Sequence, residues 1–205
     1  MKYSTPQEEF WAGEFGDHYI DRNNTSAMIE AKHAMFRRAL TPAAGIRSVV
    51  ELGCNIGLNL IALSRLLPQP ELRGVEINAT AAARARENLP GAQITHGSLF
   101  DYTPEAPGDL AFTCGVLIHL NPDMLPAVYA KLASASRRFV LIAEYYNPSP
   151  VTVSYRGHGE RLFKRDFAGE FLDVRREFRL ADYGFVYRRD PHHPLDDLTW
   201  FLLEK

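Results

Sequence analysis

The sequence predicts an α/β protein built on a mostly parallel, doubly wound sheet, and three observations carry that prediction. Short apolar runs alternate along the chain with helical patterns, the order that builds βαβ units and a parallel sheet. Three of those runs close on an acid, at Glu51, Glu76 and Glu144. The first is followed by two glycines four apart, Gly53 and Gly57, where strand gives way to helix. Glycine lets the backbone approach a ligand closely there, and the amides of the helix N-terminus point outward.

The elements follow in order. Residues 1–42 are expected to form a helical cap on a core at 43–205. Phe10, Trp11, Phe15 and Tyr19 make an aromatic stripe that Gly13 and Gly16 interrupt, and Tyr19-x-x-Arg22 sets a ring and a guanidinium on one side. Ser26 to Leu40 reads as a helix with Ser26 as N-cap, ending before Pro42. Val49 to Glu51 is the first strand, and Leu58 to Leu67 carries a helix. Leu72 to Glu76 is the second strand, and its acid lies nineteen residues after Gly57. Asn78 to Leu89 is an alanine-rich helix closed by Pro90-Gly91, Gln93 to His96 a third strand, and Gly97 to Asp101 a turn. Asp109 to Cys114 is the fourth strand; Asn121-Pro122-Asp123 opens a helix to about Ser136. Phe139 to Glu144 is the fifth strand. After it, about 145–165 is expected to be a substrate loop with five potential cations between 156 and 165. Asp166 to Val174 is a helix, and Phe178–Tyr187 and Leu198–Leu203 are two late strands. Adjacent His192 and His193 point apart in a proline-bounded turn, so no metal site is expected.

At 205 residues the chain suits a single domain, as a monomer or homodimer. A formal charge of -2 gives no electrostatic reason to bind nucleic acid or an acidic membrane. No apolar run approaches the roughly 18 residues of a membrane span. The opening Met-Lys-Tyr-Ser-Thr-Pro-Gln-Glu-Glu does not read as a secretory signal, and Cys54 and Cys114 show no disulfide framework. A reduced, cytoplasmic enzyme is the expected class.

Two ligands fit a strand, glycine turn, helix, strand and acid: a dinucleotide, or S-adenosylmethionine (SAM). The dinucleotide fingerprint needs a third glycine, G-x-G-x-x-G. The order here is E-x-G-x-x-x-G-x-N, and it resembles motif I of the class I SAM-dependent methyltransferases. That resemblance implies a Rossmann-like sheet of seven strands whose last strand inserts antiparallel. Glu76 is the candidate to hold the ribose hydroxyls. Glu51, Gly53, Asn55 and Gly57 shape the methionine pocket, and Gly115 brings backbone beside it. Ile77 packs on adenine, while Ser98 and the Leu99 amide read its edge. Arg22 takes the amino-acid carboxylate by paired hydrogen bonds. Trp11 and Tyr19 are further cofactor contacts, Tyr19 covering the methyl-bearing end. His119, just after the fourth strand, is the candidate base, since its ordinary pKa suits proton removal near neutrality. Tyr145 and Tyr146 would orient the acceptor. Tyr145, Asn147, Tyr155, Arg156, His158 and Arg161 would surround it, and their charge points to a small anionic substrate.

Longer stretches extend the resemblance over nearly the whole chain. Phe10-Trp11-Ala12-Gly13-Glu14-Phe15-Gly16-Asp17, Glu51-Leu52-Gly53-Cys54-Asn55-Ile56-Gly57, Glu144-Tyr145-Tyr146-Asn147-Pro148 and Tyr155-Arg156-Gly157-His158 resemble the pseudaminic acid biosynthesis-associated methylases. So do Arg161-Leu162-Phe163-Lys164-Arg165-Asp166-Phe167-Ala168 and Thr199-Trp200-Phe201-Leu202-Leu203-Glu204-Lys205. The resemblance implies association with nonulosonic-acid sugar pathways. The expected acceptor is a small anionic metabolite, such as a nucleotide-activated acidic sugar or an amino-acid-like compound, methylated at O or N. The competing readings are an NAD(P)-dependent oxidoreductase, a non-catalytic SAM-binding module, and a methyltransferase acting on protein or RNA.

Overall fold

The computed structural model describes residues 3–22 and 25–205, without the side chains of Asp21, Arg22, His158 and Glu160. The strands are β1 (Ser48–Leu52), β2 (Glu71–Glu76), β3 (Gln93–His96), β4 (Gly108–Cys114), β5 (Ser136–Glu144), β6 (Val151–Tyr155), β7 (His158–Lys164), β8 (Arg179–Phe185) and β9 (Thr199–Glu204). Seven of them form one sheet in the order β3-β2-β1-β4-β5-β9-β8. β1, β2, β3, β4 and β5 run parallel, and β9 inserts antiparallel between β5 and β8. The sheet is the one expected of a class I methyltransferase.

Doubly wound packing follows from adjacent residues of one strand burying on opposite faces. Val49 of β1 joins a core with Phe36, Leu60, Leu63 and Phe112, under the helices α3 (Ser26–Ala39), α4 (Leu58–Leu66) and α5 (Ala79–Asn88). Its neighbour Val50 joins the other core with Leu132, Val140 and Phe171, under α6 (Leu125–Ser134) and α7 (Phe167–Val174). Each such side chain contributes about 1.5–3 kcal/mol by leaving water. β1 is buried throughout, so the sheet's centre holds the turn that follows it in a fixed place.

Four expectations need correction. The cap of α3 is Thr25, whose hydroxyl accepts from the Met28 amide at 3.3 Å, and not Ser26. The N-terminal stripe divides into α1 (Pro6–Ala12) and α2 (Glu14–Arg22), broken at Gly13 alone. Gly16 lies within α2, where a Cβ would fall 2.0 Å from the Trp11 carbonyl oxygen; that glycine serves a close backbone approach. Asn121-Pro122-Asp123 opens a 3-10 turn (Pro122–Met124) that leads into α6. Finally, 151–164 is an antiparallel hairpin of β6 and β7, separate from the main sheet, and not a loop. Arg156 (φ 50°) and Gly157 (φ 87°) make its turn. Two consecutive left-handed residues match the twist of a tight hairpin.

Candidate active site

The order of the sheet reverses between β1 and β4, and the main cleft opens there, at the strands' carboxyl ends. It encloses about 1040 Å³ of empty space, part of it continuous with solvent. No helix among the described residues is long and apolar enough to cross a membrane.

The floor is the turn after β1. The amides of Gly53 and Cys54 both donate to the Val75 carbonyl, at 2.9 and 3.0 Å, so the turn is fastened to β2. Gly53 has φ 83°, and a Cβ on it would lie 2.7 Å from Val116 Cγ2. Gly115, φ 70°, faces open space, so a side chain there would take room from a ligand. Asn55 occupies the left-handed region at φ 47°, which asparagine tolerates. Glu76 is buried beside it. One carboxylate oxygen accepts from the Asn55 amide at 2.7 Å and the other from the Asn78 amide at 2.8 Å. Burial raises its pKa, and the amides oppose that rise. Each oxygen keeps lone pairs for a ligand hydroxyl.

Glu51 is fully buried behind this floor and does not reach the cleft itself. One of its oxygens accepts from Asn59 Nδ2 at 2.6 Å, and the other has no hydrogen-bond partner among the described residues. Burial pushes its pKa up to about 8, against the Asn59 hydrogen bond and the Lys32 charge. Lys32 Nζ in turn donates to Asn59 Oδ1 at 2.8 Å, and both residues line the cleft. In the sequence Asn59 closes the glycine motif but carries no assigned role, and Lys32 is not singled out.

At the β3 end Ile77, Gly97 and Leu99 line the cleft. Ser98 does not. Its hydroxyl donates to Glu8 and accepts from the Phe100 amide at 3.1 Å, so the side chain fastens α1 instead of facing a base. Asn78 fastens the same cap, donating to the Trp11 carbonyl at 3.3 Å and to Asp17 at 3.0 Å, while its oxygen caps α5. These pins bring Trp11 and Tyr19 over the cleft, their rings 5.2 Å apart.

His119 ends a 3-10 turn (Leu117–His119) and borders the cleft. Glu144, at the tip of β5, holds that turn by accepting from the Val116 and Leu117 amides at 3.0 Å. Burial lifts the Glu144 pKa to about 7, against those hydrogen bonds. The His119 Nδ1 lies 2.7 Å from the Arg161 carbonyl on β7. A carbonyl only accepts, so Nδ1 carries the proton and Nε2 keeps its lone pair. Burial lowers the ring's pKa to about 4, with the carbonyl opposing. The ring is therefore neutral at pH 7, set between Trp11 at 4.6 Å and Tyr155 at 4.9 Å.

The other acceptor-side candidates disperse. Tyr145 gives its hydroxyl to Asp196, and burial raises its pKa. Tyr146 is 41% exposed and borders a separate shallow groove with Arg165, Phe167 and Phe201, so it does not face the cleft. Asn147 Nδ2 donates to the Ser149 carbonyl at 2.5 Å within its own turn. The Arg156 guanidinium lies 5.7 Å from the Tyr155 ring and that of Arg161 5.3 Å from the Phe10 ring, and neither borders the cleft. The side chains of Arg22 and His158 lie outside the described residues. Among the described residues no group of three His, Cys, Asp or Glu side chains is placed to hold a metal ion.

Residues 50–137 match the family model described as a methyltransferase domain. The matched segment runs from β1 into β5 and so contains the glycine turn, Glu76 and His119. A trans-aconitate 2-methyltransferase of Methylobacterium nodulans is 32% identical over 97 residues, which cover 46% of this chain and 38% of that protein. The match thus spans about two fifths of that relative's length. Among solved structures, the magnesium protoporphyrin IX methyltransferase of Synechocystis PCC 6803 with bound SAM superposes at a TM-score of 0.70, with 13% identity and 100% of both chains covered. The 1,6-didemethyltoxoflavin-N1-methyltransferase of Burkholderia thailandensis, with S-adenosylhomocysteine, gives 0.71 at 15% identity over 100% of this chain and 92% of that one. The fold of the methyltransferase domain is shared with both.

Proposed function

We propose that the protein is a SAM-dependent methyltransferase acting on a small anionic acceptor. One observation carries the reading: at the sheet's switch point, a glycine turn is tied to a buried carboxylate, Glu76, across a nucleoside-sized cleft. Gly97 and Gly115 both line the cleft and have open space where a Cβ would lie, room that an adenosyl group would use. SAM, when bound, supplies a methyl already activated by its sulfonium. The chain's own work is then positioning and, for a hydroxyl or amine acceptor, removal of one proton. Glu76 holds the ribose, Ile77 and Leu99 pack around adenine, and Trp11 and Tyr19 close over the sulfonium end. His119 accepts the proton at Nε2.

The acceptor's class is supported from two sides. Trans-aconitate, named by the relative above, is a small polycarboxylate. The resemblance to pseudaminic acid biosynthesis-associated methylases associates the chain with nonulosonic-acid sugar pathways, whose sugars are acidic. Both are small anions, and a cytoplasmic monomer or homodimer suits either. The net charge of -2 speaks against nucleic acid as the acceptor. Calorimetry with SAM, S-adenosylhomocysteine (SAH) and NADH tests the cofactor: binding of the first two and silence of the third is expected. Tight NADH binding without SAM binding would sink the reading. Transfer of labelled methyl from SAM to trans-aconitate or to nucleotide-activated acidic sugars then sorts the acceptors.

A further inference from the structure

The structure assigns Lys32 as the carboxylate-binding side chain of the cleft, aimed by Asn59 and Glu51. The assignment rests on the cofactor reading above and names a residue that the reading leaves out. Among the described residues that line the cleft, Lys32 is the only lysine or arginine, and the acids are Glu8 and Glu76. It makes no ion pair among the described residues; its contact is the 2.8 Å hydrogen bond to Asn59 Oδ1. An ammonium carries three donors, so two remain for a ligand.

The relay behind it fixes the direction. Asn59 is buried at the start of α4, and its amide nitrogen is committed to Glu51 at 2.6 Å. Its oxygen is thereby turned to Lys32, and the ammonium is drawn to the cleft wall at Asn59. Glu51 stands one residue behind Asn59 in the relay and acts on Lys32 through it, by holding the Asn59 amide in place. A charge held this way, half-desolvated and lacking a contacting counterion, is built to receive an anion. Two carboxylates are available: the amino-acid end of SAM, and one on the acceptor.

The test compares wild type with Lys32→Met and the charge-keeping Lys32→Arg by calorimetry. The probes are SAH, the decarboxylated analogue of SAM, and trans-aconitate added to SAH-bound protein. A cofactor carboxylate predicts an SAH Kd raised at least tenfold in Lys32→Met, an unchanged Kd for the decarboxylated analogue, and recovery in Lys32→Arg. An acceptor carboxylate predicts unchanged SAH binding and at least a tenfold loss for trans-aconitate. No change in either titration overturns the assignment, as does an equal loss for SAH and its decarboxylated counterpart. Wild type that binds neither SAM nor SAH overturns the cofactor reading and this inference together, so the two failures are told apart. Circular dichroism checks folding, and Lys32→Gln, which keeps a donor for Asn59, replaces the Met variant should that one not fold.

Discussion

His119 donates its Nδ1 proton to the Arg161 carbonyl, so toward the cleft its ring acts only as a base. That makes His119→Ala a probe of the acceptor as well as of the residue. Transfer to a hydroxyl or amine should slow by about 10²–10⁴-fold, the usual worth of a positioned base. Transfer to a carboxylate, which has no proton to lose, should hardly change, and single-turnover rates with each acceptor type decide. In wild type the proton-requiring reaction should fall in acid with a midpoint near the ring's pKa of about 4. Glycine supplies a second prediction. Gly115→Ala places its Cβ in open space and should cost about 1 kcal/mol in left-handed strain. Gly53→Ala should cost more in urea unfolding, since its Cβ also meets Val116 at 2.7 Å. These glycines and Glu76 were legible in the sequence because turn chemistry and spacing are local. Lys32 was not. A lysine among Met28, Ile29, Ala31, Met35 and Phe36 reads as the wet side of a helix, and only the packing of α3 on α4 turns it to Asn59. The true partner of Ser98, Glu8, lies ninety residues away in sequence and was invisible for the same reason.

Among the elements, the cap formed by α1 and α2 is tied to the sheet in part by Asn78. Asn78→Ala removes the cap of α5 and two hydrogen bonds into the N-terminal helices. Global stability should fall by about 1–2 kcal/mol. Amide exchange in α1 and α2 should rise by more than in β1, because the cap loses one of its anchors, Ser98–Glu8 remaining, while the sheet keeps its core. The strands of the main sheet were readable from short apolar runs, three of which, at β1, β2 and β5, close on an acid. The β6–β7 hairpin was not: β6 alternates cleanly as Val151-Thr152-Val153-Ser154-Tyr155, but its partner β7, His158-Gly159-Glu160-Arg161-Leu162-Phe163-Lys164, does not, and arginine is an unusual choice for a left-handed turn position. Asparagine is favoured there, so Arg156→Asn should stabilise the hairpin by a few tenths of a kcal/mol, seen as slower proteolysis between 151 and 164.

The whole molecule carries its buried acids and its buried base with opposite pH signs. Glu51 and Glu144 have folded pKa values raised to about 8 and about 7. Their contribution is present below the ordinary carboxylate range and is lost as pH rises through those values. His119 runs the other way: its folded value is lowered, so its contribution holds above the ordinary imidazole range and is lost as pH falls through about 4. The ligand-free protein should therefore show a melting temperature that declines from about pH 4.5, where the unfolded carboxyls titrate, to about pH 8, with His119 opposing the decline below about pH 6.5. Glu51→Gln, which still accepts from Asn59, should flatten the alkaline decline in differential scanning calorimetry. One more consequence is optical. The chain has two tryptophans. Trp200 is packed within the sheet between β5 and β8, whereas the indole of Trp11 hangs over the cleft against His119. Its emission is a built-in reporter of occupancy: SAH added to Trp200→Phe should shift the fluorescence of the single indole that remains, and the same addition to Trp11→Phe should leave the spectrum still.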